Sequence, residues 1–276
     1  MPSKNYKRVY VWELPVRIFH WINVLCITVL AATGFIIADP PAILSAAEAS
    51  ESYWFGTVRF IHFTAAYIFF FNMLLRLYWA FVGNRFSNWR AFLPFSKKMR
   101  KNILHVLRVD ILLQHDKTED VRNISVGHNS IAAISYVALF VIALVQVFTG
   151  FGLYADNSGW WLPKLFAWVV PLFGGDFMVR TIHHVATWFF ILFTLIHVYL
   201  VFYHDWLEGR GEVSSMFGGY KFVCEERLAH ENLEEMVEDR LNLLFGRFGV
   251  DHLQDLHQMI LARVERPLLG LVLQQT

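Results

Sequence analysis

Residues Ile182 to Tyr203 read IHHVATWFFILFTLIHVYLVFY, an apolar run holding three histidines and no Asp, Glu, Lys or Arg. A bilayer core about 30 Å thick is crossed by roughly 20 apolar residues in helical form, so this run reads as one membrane span. An ionisable side chain inside a span is costly, which makes each histidine a functional candidate. His197 follows His183 by fourteen residues. That is about 21 Å along a helix axis, and fourteen steps of about 100° return to within roughly 40° of the starting face. Two histidines therefore share one face at two depths. His184 misses that face by more than a quarter turn and is the poorer ligand of the adjacent pair.

Three further stretches qualify as spans: Ile18 to Ala38, Phe60 to Gly83 and Ile131 to Tyr154. They account for a chain of 276 residues that is 56% hydrophobic and only 17% charged, where a soluble domain carries about a quarter charged residues. Lys4, Lys7, Arg8 and Arg17 precede the first run as in a signal peptide. No small-residue cleavage site follows, however, and more spans come after it, so it reads as the first transmembrane helix. The expected fold is an all-α integral membrane protein, a four-transmembrane-helix bundle over residues 1–222. Residues 223–276 are expected to form a short helical cytoplasmic tail of unassigned role. The net charge of +1 gives no reason to expect a nucleic-acid partner. Cys26 and Cys224, one in a span and one far beyond the last, cannot ligate an iron–sulfur cluster of their own.

Basic residues orient the bundle. Arg85, Arg90, Lys97, Lys98, Arg100, Lys101, Arg108, Lys117 and Arg122 crowd the second link, whereas Asp39 to Phe55 has none and Ala155 to Thr181 has only Lys164 and Arg180. Cytoplasmic loops hold the excess of Lys and Arg, so both termini are expected inside and the first and third links outside. Trp54, Trp160, Trp161, Trp168 and Trp188 suit interfacial anchors on the outer side. Trp160 to Gly174 is apolar enough to lie in the interface, but its prolines and glycines argue against a fifth span.

Topology pairs the histidines by depth. His62 begins an inward-running span and meets His183 in the outer half; His20 begins an outward-running span and meets His197 in the inner half. Two imidazoles across a cavity can fill both axial positions of a haem iron, so two haems b are the expected cofactors. Arg17, Arg59 and Arg180 stand three residues before His20, His62 and His183, one turn away on the same face, and Arg76 is fourteen residues after His62. A haem brings two carboxylates, and burying them requires such cations. Copper or zinc would want ligands converging on one depth rather than two. A proton relay would want carboxylates within the four runs, which contain none. Ala32-Thr33-Gly34-Phe35 is echoed by Phe148-Thr149-Gly150-Phe151 near the outer ends of two spans. A glycine there admits a flat macrocycle or another helix close to the backbone.

Gly127-His128-Asn129 lies at the inner start of the third span, level with the inner pair. A histidine and an amide together can hydrogen-bond a quinone carbonyl and deliver a proton. A surface histidine beside an Asn129 N-cap fits the same residues equally well. His105, His115, His204, His230, His252 and His257 read as solvated cytoplasmic residues, His204 the least securely because it shares the His197 face.

Taken together, Pro15-Val16-Arg17-Ile18-Phe19-His20-Trp21, Arg59-Phe60-Ile61-His62-Phe63, Arg76-Leu77-Tyr78-Trp79-Ala80, Gly127-His128-Asn129, His183-His184 and His197-Val198-Tyr199 resemble the b-type cytochrome subunit of membrane-bound nickel–iron uptake hydrogenases. Thr33-Gly34-Phe35, Thr149-Gly150-Phe151, Ser214-Ser215-Met216 and Gly219-Tyr220 complete a resemblance over about residues 8 to 222. It implies that His20, His62, His183 and His197 bind two haems b in the bacterial inner membrane. It also implies that electrons arrive from the hydrogenase's small iron–sulfur subunit, attached to its large nickel–iron subunit, and reduce menaquinone or ubiquinone near the inner haem. The chain would then be the quinone-reducing electron-transfer subunit of an oxidoreductase and would not itself activate hydrogen. His128 becomes a quinone-site candidate, and His184 is implied to assist near the outer haem. Ser130 stands where the family usually has Pro, and Arg180 where it often has His. The alternatives are the cytochrome b subunit of a formate dehydrogenase or thiosulfate reductase, then a haem sensor or transporter. Transporters tend to show broken helices with polar midplane sites, which these runs lack.

The tail from Asp255-Leu256-His257 through Val264-Glu265-Arg266-Pro267 to Thr276 resembles the dimerisation-helix region of Fis-type DNA-binding domains. No helix-turn-helix follows, so no DNA binding is expected.

Overall fold

The computed structural model describes residues 6–41, 53–89, 130–208 and 211–224. Four long helices dominate: α1 (Leu14–Ala38), α2 (Trp54–Val82), α3 (Ser130–Tyr154) and, after two short turns of helix, α6 (Asp176–Glu208). Each is long and apolar enough to cross a membrane. Four such helices in one chain are the mark of a multi-pass membrane protein. Its outward surface fits lipid: Leu25, Phe60 and Leu195 are each about two-thirds exposed.

Helix α1 packs chiefly along α2 and α3 along α6, and α1 also touches α6. The two halves meet through aromatic contacts between α2 and α3. Phe63 stacks on Tyr154 with ring centres 4.1 Å apart, while Tyr67 and Phe70 both lie 5.3 Å from Phe151. Cys26, Phe69, Met73, Ala143, Val147 and Phe190 close the middle of the bundle. We call the end where α1 begins the base, and the end where α1 gives way to α2 the top.

At the top, α4 (Trp161–Lys164) and α5 (Val169–Leu172) are four-residue turns, each containing a proline. Gly174 and Gly175 then take positive φ and turn the chain into α6. These turns are too short to cross a membrane, so the link adds no fifth span. Trp160, Trp161 and Trp168 are exposed there.

The all-α expectation misses one feature. Strands β1 (Tyr6–Tyr10) and β2 (Tyr220–Cys224) pair at the base, next to the short helix α7 (Glu212–Gly218). Five-residue segments rich in aromatic and β-branched side chains carry little signal alone, and these two meet only once the bundle brings both ends of the domain together. Gly219, at φ 85°, sits between α7 and β2, and its carbonyl accepts from the backbone N–H of Val11 and of Trp12. Pro15 in the first turn pre-sets φ for the start of α1. Glu13 just before it ties α1 to the end of α2. Its Oε2 accepts from Trp79 Nε1 and the Asn84 backbone N–H, both at 2.9 Å, and from Ser87 Oγ at 3.0 Å.

Candidate functional site

The histidine on α1 and the deeper histidine on α6 meet near the base. The rings of His20 and His197 lie 6.4 Å apart between centres. Two metal–imidazole bonds of about 2 Å, each extended by about 1 Å from nitrogen to ring centre, span about 6 Å, so one iron between them fits. His197 stacks on Phe193 (5.3 Å, 13° between planes), and His20 meets the edge of Trp21 at 5.2 Å. His20 Nδ1 is buried and has no hydrogen-bond partner among the described residues.

Nearer the top, His62 and His183 stand close enough to interact electrostatically across the bundle. Each is held by a threonine from the neighbouring helix: Thr33 Oγ1 lies 2.8 Å from His62 Nδ1, and Thr149 Oγ1 lies 2.8 Å from His183 Nδ1. The threonines also fix which way the proton points. Thr33 Oγ1 is 2.6 Å from the Val29 carbonyl and Thr149 Oγ1 is 2.6 Å from the Val145 carbonyl. A hydroxyl has one hydrogen, and at that separation it goes to the carbonyl. The oxygen's lone pair then accepts from Nδ1–H, and each imidazole presents an unprotonated Nε2, the form that binds a metal.

The repeated Thr-Gly pair is thus explained in both of its residues. A Cβ built on Gly34 would lie 3.4 Å from His62 Cε1, and one on Gly150 would lie 3.1 Å from His183 Cε1. The group admitted to the backbone is the histidine ring itself. The two halves match further. His20 precedes Thr33 by thirteen residues, as Tyr136 precedes Thr149; Arg76 follows His62 by fourteen, as His197 follows His183. On the α2–α3 side of the bundle, at the place that answers to the His20–His197 pair, Arg76 Nε donates to Tyr136 Oη at 2.9 Å.

His184 is exposed and lies edge-on to Phe35 at 5.3 Å, outside both pairs. Among the arginines, Arg76 is buried and donates also to the Ser87 carbonyl at 3.2 Å. Arg17 donates to the Phe217 carbonyl, while Arg59 is exposed, its guanidinium 5.8 Å from the Phe63 ring centre. Arg180 makes an exposed ion pair with Asp176 at 3.9 Å. Sequence reasoning missed the hydrogen-bonding role of Thr33 and Thr149, although their echo was the signal. It missed two side-chain amides altogether, one buried (Asn72) and one half-buried (Gln146). Asn72 donates to Asn23 Oδ1 and the Phe19 carbonyl, one turn from His20, and Gln146 donates to Thr187 and the His183 carbonyl. Among the described residues no three His, Cys, Asp or Glu converge as for a protein-ligated metal, whereas haem iron asks the protein for only two axial ligands. His128 and Asn129, His105, His115, His230, His252 and His257, and the tail from residue 225 lie outside the described residues; His204 is helical but its side chain is not described.

The model of the prokaryotic cytochrome b561 family matches residues 11–219. A protein of Cupriavidus necator described as a probable Ni/Fe-hydrogenase B-type cytochrome subunit is 38% identical over 223 residues, covering 79% of this chain and 89% of its own. Its counterpart in Azotobacter vinelandii is 35% identical over 223 residues, covering 79% and 90%. The probable Ni/Fe-hydrogenase 1 B-type cytochrome subunit of Escherichia coli (strain K12) is 34% identical over 224 residues, covering 79% and 93%. None of these matches supports a Fis-type relationship for the tail. Spanning four membrane helices and both histidine pairs, the match shows that this chain belongs to the prokaryotic cytochrome b561 family of b-type membrane cytochromes.

Proposed function

We propose that the chain binds two haems b, one between His62 and His183 and one between His20 and His197, and conducts electrons across the membrane from a nickel–iron hydrogenase to quinone. The observation that carries this reading is the sorting of four histidines into facing pairs at two depths, the base pair at a spacing suited to a single iron. When bound, haem b supplies a one-electron carrier at each depth. The protein's part is to hold four imidazoles in fixed orientation and to surround them with apolar side chains that exclude water. Arg17, Arg59 and Arg180 are the cations offered to the propionates, whereas Arg76, counted with them in the sequence, donates to Tyr136 and the Ser87 carbonyl. The names of the relatives support hydrogenase as the electron source. The Lys and Arg bias of the second link supports a cytoplasmic base and hence a top facing the hydrogenase's iron–sulfur subunit. His128 and Asn129, which precede α3 in the sequence, are the proposed quinone-binding pair, the histidine passing a proton from the cytoplasm.

The test is a reduced-minus-oxidised spectrum and haem quantification on the purified chain, with His62→Ala and His197→Ala beside it. Two bis-histidine haems per chain are expected, falling to one in each single variant and none in the double. An unchanged spectrum in the double variant overturns the assignment. Hydrogen-dependent quinone reduction by membranes should disappear when the chain is deleted; co-purification with another type of iron–sulfur subunit would replace hydrogenase as the source.

A further inference from the structure

We infer that Thr33 and Thr149 are positioning residues that make the top histidine pair the lower-potential haem site, so that the protein itself gives electrons a downhill direction from top to base. The inference rests on the haem assignment above and concerns what this chain's own hydroxyls do to it. Each top histidine donates from Nδ1 to a threonine oxygen whose hydrogen is already committed to a backbone carbonyl at 2.6 Å. Such a chain polarises along its length, and each link strengthens the next. A histidine whose distal N–H is drawn off in this way is a more basic ligand. A more basic pair favours the ferric over the ferrous state, which lowers the potential.

Both histidines of the top pair carry the same device, because the Thr-Gly pair occurs in each half of the molecule. The base site is built otherwise. Among the described residues His20 Nδ1 has no acceptor, and His197 lies against the face of Phe193. Its ligands are left less basic and its potential higher. The membrane interior favours this contrast, since no bulk water is at hand to make the two pairs alike.

The experiment is a redox titration of the haems in the purified full chain, with Thr33→Val, Thr149→Val and the double variant. Valine keeps the shape of threonine and removes only the hydroxyl. His62→Ala, which keeps the base site alone, assigns the two midpoints, and the site it retains is expected to be the higher. Each valine should raise the lower midpoint by about tenfold in the reduction equilibrium, about 59 mV for one electron, and leave the higher midpoint in place. Thr33→Ser and Thr149→Ser, which restore the hydroxyl, should hold the original value. Unmoved midpoints, or movement of the higher one instead, with both haems retained, overturn the inference while leaving the haem assignment intact. Fewer than two haems in the unaltered chain sinks the assignment before any threonine is changed. Should a valine variant lose its haem, low-temperature EPR of the unaltered chain decides. The stronger imidazole donor must belong to the lower-potential haem, and the reverse order overturns the inference.

Discussion

A threonine inside a membrane helix ordinarily spends its hydroxyl on the carbonyl one turn back, and this is why Thr33 and Thr149 look inert in the sequence. Their importance comes from a second partner that only packing reveals. The glycine beside each is tuned to the same ring, with unequal slack. A methyl on Gly34 would make ordinary contact with His62 at 3.4 Å, whereas at Gly150 the clearance to His183 is 3.1 Å. Gly34→Ala should therefore keep both haems and stabilise α1 by up to about 1 kcal/mol through helix propensity. Gly150→Val should push His183 aside and lose the top haem. Haem content and thermal stability in detergent check both.

At the scale of elements, the sequence shows where the chain crosses hydrocarbon but not where its helices begin. Helix α2 starts at Trp54 and α6 at Asp176, six residues ahead of the runs that hydropathy marks. The backbone ladder continues into the interface, where Trp, Arg and Asp are at home. Depth and face of the histidines were legible because they follow from 3.6-residue periodicity and span direction. The base assembly was not, because it depends on partners far apart in the chain. Glu13 shows what that assembly holds. Replacing it with Ala strands the Trp79 and Asn84 N–H groups, which donate to its carboxylate in a part-buried place. A loss of about 2 kcal/mol is expected, since each unsatisfied buried donor costs about 1–3 kcal/mol. The base site should suffer before the top one, with the higher-midpoint haem titrating less sharply or lost first on heating.

For the whole molecule, the orientation rests on charge and can be checked directly. A reporter active only outside the cytoplasm should be silent when fused after Thr276 and active when inserted near Ser45; the opposite pattern would invert the proposed direction of electron flow. The likeness of the two halves has a consequence of its own. Two equal halves sharing one site at the top would offer an electron a fork at the base, with a branch on each side. One branch ends in the His20–His197 pair, while the other is stopped by a guanidinium bound to a phenol, Arg76 to Tyr136. On the proposed haem assignment the path is then unbranched, with a single exit at the base. Converting the stopper with Arg76→His and Tyr136→His together should reopen the second branch, read as a haem content rising from two to three per chain.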